Sequence, residues 1–210
     1  MSSAIPRTAV LLTSPLLAEA DSQRLRRTLQ GVGPVLHPHW RLDAAAADLL
    51  ADPSRLVRDT LDDVPSPAVL CGVGSGVLVA LRAAAEAGDR VHGLLLATGH
   101  RSSGAVLVRS LHRGVADLLP LATLQRLGAG ERHLLQVLDA VRPQDHRALA
   151  PRVDQPALVA WGRRDLLDRR PSERLAGALP RGRLVPLAGA GRGWVWDSPD
   201  RLAALLTSLG

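Results

Sequence analysis

The 210 residues carry 26 basic and 20 acidic side chains, a net charge of +6, and every base is an arginine. The arginines are dispersed, the clusters Arg26-Arg27, Arg163-Arg164 and Arg169-Arg170 lie near carboxylates, and no aromatic side chains interleave with them, which argues against a nucleic-acid partner. A single cysteine, Cys71, excludes an internal disulfide and suits a reducing cytoplasm; with no signal-like start and no apolar run of spanning length, a cytoplasmic protein without a membrane partner is expected. Phe, Tyr, Lys and Asn are absent, a codon bias expected of a GC-rich bacterium, so the core must be built from Leu, Val and Ala around four tryptophans. The length allows one sizeable core with a small insertion.

In chain order, Arg7 to Thr13 is a short apolar run that predicts a buried strand, and Asp21-Ser22 offers a helix cap ahead of Leu25 and Leu29. Val35 to His37 predicts a second strand. The Ala-rich stretch from Asp43 to Val64 predicts one or two helices, broken near Pro53, where Ser54 can cap the second. Ala68 to Cys71 is a third strand, running into Gly72, Gly74, Ser75 and Gly76, and a helix follows at once to Ala87. Val91 to Ala97 predicts a fourth strand. From residue 101 to 150 only helical spacing appears, broken by Gly and Pro, which predicts a helical cap inserted between core segments 1–100 and 151–210. Pro156 to Trp161 and Arg183 to Leu187 are the fifth and sixth strands, with helices predicted at Ser172 to Leu179 and Ser198 to Leu209. Alternating strands and helices imply a mostly parallel six-stranded sheet with helices on both faces.

In such a sheet ligands sit beyond the carboxyl ends of the strands. The tightest of these junctions is Gly72-Val73-Gly74-Ser75-Gly76. It resembles the nucleophile elbow G-x-S-x-G of the α/β-hydrolase superfamily, in which small residues flank a nucleophile on a sharp strand-to-helix turn. The flanks fall on Gly72 and Gly76, and the nucleophile position falls on Gly74. Two further stretches carry the same resemblance. Ala157 to Asp165 is similar to the family's strand ending in Gly-x-x-Asp, which puts Asp165 at the triad acid. Leu187 to Arg192 is similar to the loop that bears the triad histidine, and Arg192 stands in its place. The resemblance implies an α/β-hydrolase fold with a degenerate triad. Acyl transfer needs a nucleophile, a base and an orienting acid, and arginine stays protonated near neutral pH. The oxyanion-loop position holds Thr13-Ser14.

A slip of one residue that made Ser75 the nucleophile would put Val73 and Val77 at the flanks, which the turn should not tolerate. Ser75 is left either to cap the helix or to offer its N–H to an anionic oxygen. His37, His39 and His100 fall at strand ends as candidate acids or bases, with His39 and His100 ahead. Trp40, Trp194 and Trp196 are candidate walls of an apolar pocket, whereas Trp161 reads as a core plug and Cys71 as a buried structural thiol. An ion pair between Arg192 and Asp165 is expected, because each charge would otherwise lack a partner. No histidine or cysteine spacing suggests a metal, and no cofactor is expected.

These readings predict a non-hydrolytic catalyst, such as a lyase, cyclase or isomerase, acting on an apolar small molecule in bacterial specialised metabolism. The alternatives are a non-catalytic ligand-binding or partner-stabilising protein, as a homodimer or with a partner enzyme, and a serine hydrolase or thioesterase using Ser75.

Overall fold

The computed structural model describes residues 7–13, 19–38, 53–64, 67–74, 76–97, 146–191 and 193–209. Six strands form one sheet: β1 (Ala9–Leu12), β2 (Val35–Leu36), β3 (Ala68–Val73), β4 (Val91–Ala97), β5 (Ala157–Gly162) and β6 (Gly182–Leu187). Their order is β2-β1-β3-β4-β5-β6, and every neighbouring pair is parallel. The helices are α1 (Glu19–Gln30), α2 (Pro53–Asp62), α3 (Gly76–Glu86), the one-turn α4 (His146–Leu149), α5 (Leu166–Ala178), the one-turn α6 (Trp194–Asp197) and α7 (Pro199–Thr207).

Alternation along the strands divides the core in two. Val10, Leu12, Leu70, Leu94, Leu96 and Val159 face α2, α3 and α5, whereas Leu11, Val69, Cys71, Leu95, Leu158 and Ala160 face α1, α6 and α7. The central strands β1, β3, β4 and β5 are buried on both faces, which is why they read as unbroken apolar runs. With almost no aromatic residues, the helices approach the sheet through Val, Leu and Ala; α3 alone buries Val77, Leu78, Val79, Ala80, Leu81, Ala83 and Ala84.

Three helix starts differ from the sequence expectation. Helix α1 begins at Glu19, so Asp21 and Ser22 lie inside it; Ser22 shares the inward stripe with Leu25 and Leu29 and is buried with them. Helix α2 begins at Pro53 itself, whose missing N–H costs nothing at a first helical position, and Ser54 lies within the first turn. Helix α5 begins at Leu166, six residues before the expected Ser172, and contains Pro171. Its true start is set by Asp165, which accepts a hydrogen bond from the Asp168 N–H. Pro171, the sixth residue of α5, lies past the first turn, where it forgoes a ladder bond and its ring crowds the carbonyl of residue 167, yet the helix continues through it to Ala178. Of the expected cap, residues 101–145 lie outside the described residues, while α4 and the short 3₁₀ turn Ala150–Arg152 pack against α3 and α5.

Candidate functional site

The carboxyl ends of five strands, β1, β3, β4, β5 and β6, each lie within two residues of the next along the sheet. Leu12 pairs with Gly72, Val73 with Ala97, Ala97 with Ala160, and Gly162 with Leu187. The loops after β1, β3, β4, β5 and β6 therefore open on the same edge of the sheet, around the point where the chain reverses its direction of strand addition between β1 and β3.

The elbow is at the centre of this edge. Gly74 adopts φ 61, a conformation that costs an ordinary side chain and costs glycine little. Its N–H donates to the Ala97 carbonyl at 3.2 Å, and its own carbonyl accepts from Val77 N–H at 3.2 Å, so the apex is fixed from both sides. A Cβ on Gly72 would lie 2.8 Å from the Gly76 carbonyl oxygen and from Val77 Cα. A Cβ on Gly76 would lie only 2.0 Å from the Leu12 carbonyl oxygen. These two contacts establish the register of the motif: Gly72 and Gly76 are the positions that must be small, and Gly74 is the apex. Helix α3 is thereby pressed directly on the end of β1.

The acid loop is built differently. Asp165 is 7% exposed; its Oδ1 accepts from Asp168 N–H at 3.3 Å, and its backbone carbonyl accepts from Trp161 Nε1 at 2.7 Å. Asp168, which the sequence reading did not single out, is itself 4% exposed, so two carboxyl groups are withdrawn from solvent within one helical turn. The available signal was its place in the first turn of a helix whose start was misjudged. Arg163 N–H donates to the Leu187 carbonyl at 3.0 Å and Arg164 N–H to the Ala190 carbonyl at 2.9 Å. A Cβ on Gly162 would meet the Gly191 carbonyl oxygen at 2.5 Å. The backbone thus ties the loop of Asp165 to the loop that leads to residue 192.

Thr13, at the end of β1, is 4% exposed, and its Oγ1 lies 3.2 Å from His37 Nε2 at the end of β2. The structure thus joins Thr13 to the histidine ranked below His39 and His100, a pairing that the adjacency of the two strand ends could have suggested. Ser14, His39, Trp40, Ser75, His100 and Arg192 lie outside the described residues, so the expected Arg192–Asp165 contact does too.

The tryptophan expectation needs one correction. Trp194 and Trp196 lie on the one-turn helix α6 rather than on a loop, and Trp194 is 2% exposed within the cluster of Leu25, Leu29, Leu95 and Leu202. The ring packs among the apolar side chains of that cluster. Trp196 is half-buried at the margin of the same cluster. Trp161 is 6% exposed, as expected for a core plug. Burial pushes the Cys71 thiol up to about 12, because the thiolate would lose its hydration. It stays protonated at neutral pH, the state of an inert structural thiol.

Among the described residues no cluster of three His, Cys, Asp or Glu could hold a metal ion, and no helix is long and apolar enough to cross a membrane. No protein-family model matches the chain, and no curated protein matches it either. Solved structures do match. A hydrolase from Pseudomonas aeruginosa PA01 aligns at TM-score 0.75 and 21% identity, covering 99% of this chain and 91% of its own. An enol-lactonase from Burkholderia xenovorans LB400 aligns at 0.71 and 20%, covering 100% and 93%. A bromoperoxidase from Bacillus anthracis aligns at 0.73 and 17%, covering 97% and 91%. With the parallel sheet, the glycine-flanked elbow and the joined loops after β5 and β6, these likenesses show that the chain has the α/β-hydrolase fold.

Proposed function

We propose that this protein uses the cleft of an α/β-hydrolase scaffold for chemistry that needs no covalent acyl intermediate, as a lyase, cyclase or isomerase acting on an apolar small molecule. The observation that carries this reading is the elbow: its backbone is held at the apex by hydrogen bonds on both sides, and the residue held there is Gly74, which has nothing to attack with. Arg192 at the histidine position would be a permanent cation, paired with Asp165. Two adjacent carboxyl groups at 7% and 4% exposure support such a partner, since buried charge is expensive without one. Catalysis in this cleft would then rest on shape, exclusion of water and fixed hydrogen-bond donors. Thr13, Ser14, Ser75, His39, Trp40, His100 and Trp196 are the side chains assigned to the ligand.

The retention of Asp165 as a helix cap supports a second reading, a binding protein without turnover, because capping alone explains why an acid stays there. Two measurements separate the readings. The first is labelling with a fluorophosphonate probe, followed by peptide mapping. No adduct is expected; an adduct on Ser75 would make the protein a serine hydrolase and overturn both. The second is untargeted metabolite profiling of a bacterial extract incubated with the protein. A compound consumed by the wild type and spared by Trp196→Ala supports catalysis, whereas compounds that co-purify unchanged support binding alone.

A further inference from the structure

The arginines are not distributed as the sequence suggests. On the flank formed by α2 and α3, each described exposed or half-exposed arginine outside α2's first turn has a carboxylate: Arg58 and Arg82 both pair with Glu86, the latter at 3.3 Å, and Arg90 pairs with Asp62 at 3.3 Å. On the flank formed by α5 and the loops at its two ends, Arg163, Arg164, Arg169, Arg170, Arg174 and Arg181 are all exposed, and among the described residues Arg169 alone of these has a carboxylate partner, Glu173 at 2.9 Å. The other two acids of this stretch, Asp165 and Asp168, are buried. Six arginines against three acids give residues 163–181 a formal charge of +3, half of the +6 that the whole chain carries, and of the three acids only Glu173 is exposed.

The strip is ordered as well as charged. Its upper end is fixed by the bonds from Arg163 N–H to Leu187 and Arg164 N–H to Ala190, and the 13 residues of α5 carry it about 20 Å down the side of the sheet. Between the pairs Arg163-Arg164 and Arg169-Arg170 stands Leu166, 77% exposed and the most exposed large apolar side chain among the described residues. Arg170 and Arg174 are one helical turn apart, a like-charge spacing that destabilises a helix unless something neutralises it.

We propose that this strip is a docking surface for an acidic protein, which lays a row of carboxylates along α5, covers Leu166 with an apolar side chain, and so sits at the mouth of the cleft beside Asp165. Arginine forks bind carboxylates in pairs, and arginines around a small apolar centre are the composition of a protein interface. A nucleic-acid duplex fits less well, because it would set phosphates against Glu173 and leave Leu166 without an apolar contact. A membrane fits less well because a single leucine offers little to insert. The proposal does not depend on the chemistry of the cleft.

The test uses a 20-residue acidic helical peptide with one leucine per turn, poly-L-glutamate, a 20-base-pair duplex and phosphatidylglycerol vesicles, each titrated against the folded full chain. The peptide is expected to bind saturably, with at least a tenfold loss in Arg170→Glu/Arg174→Glu. Leu166→Ser should weaken the peptide at least threefold while leaving poly-L-glutamate unchanged. Arg24→Glu/Arg27→Glu makes the same charge change on α1 and should leave peptide binding within twofold. Circular dichroism confirms folding of each variant. The proposal is overturned by absence of peptide binding, by equal losses in the two double variants, or by tighter binding of the duplex or the vesicles than of the peptide.

Discussion

The elbow between β3 and α3 and the acid loop between β5 and α5 are the same kind of junction, strand into helix at one edge of one sheet, yet they have kept different things. At the elbow the backbone is retained: two glycines meet neighbouring backbone at distances no side chain could share, and the apex holds φ 61. What is absent is a side chain. At the acid loop the side chain is retained, and it has a structural task, capping α5 through the Asp168 N–H. A strand-to-helix junction can therefore be fixed for two separate reasons, because the packing needs the turn or because the helix needs the cap.

The contrast is sharpest in the glycines. Gly76→Ala should be the most damaging change, at least about 3 kcal/mol, because the clash is with the Leu12 backbone and relief requires moving α3 off β1. Urea denaturation measures it, and a loss under about 1 kcal/mol would mean that the helix is not pressed on the strand. Gly162→Ala should cost about 2–3 kcal/mol, since the loop after β6 has more room to retreat than a helix does. If Gly162→Ala proved the worse of the two, the acid loop and not the elbow would be the more constrained junction.

Asp165 separates cap from charge. Asparagine caps a helix about as well as aspartate, so Asp165→Asn would cost only a few tenths of a kcal/mol, about 0.3, if capping were its whole role. With Arg192 as its ionic partner the same change leaves a cation uncompensated, and about 2 kcal/mol is expected. Comparing chemical denaturation of Asp165→Asn in the Arg192 and Arg192→Met backgrounds isolates that coupling, which should fall to near zero in the second.

Much of the fold was legible because its signals are local. Buried parallel strands appear as unbroken apolar runs, and Gly72 and Gly76 mark the elbow by residue type alone. The start of α5 was not legible, because Pro171 is a stronger local break than Asp165 is a cap, and only the side chain's position shows which one sets the boundary. The burial of Trp194 was not legible for a related reason. A tryptophan past the last strand looks like a pocket wall until α6 turns it back under α1, a long-range contact that spacing does not encode. The arginines of 163–181 form one exposed strip, in which Arg169 alone has a carboxylate partner among the described residues, only when α5 is wound and the partners of the other flank are counted.

The smallest expected cost belongs to the most informative change. Gly74→Ser returns a hydroxyl to the apex, and holding a non-glycine residue at φ 61 costs about 1 kcal/mol, so the variant should fold. It should not hydrolyse esters. A serine hydroxyl attacks only when a base takes its proton, and an arginine at position 192 holds its own proton throughout the neutral range. The double variant Gly74→Ser/Arg192→His puts a nucleophile and a base at the two positions the proposed function assigns to them, beside Asp165, and it should label with a fluorophosphonate where each single variant does not. If Gly74→Ser labelled alone at the rate of the double variant, a base other than residue 192 would already reach the apex. The elbow would then be a catalytic site lacking one atom group, and the contrast with the acid loop would lose its chemical half.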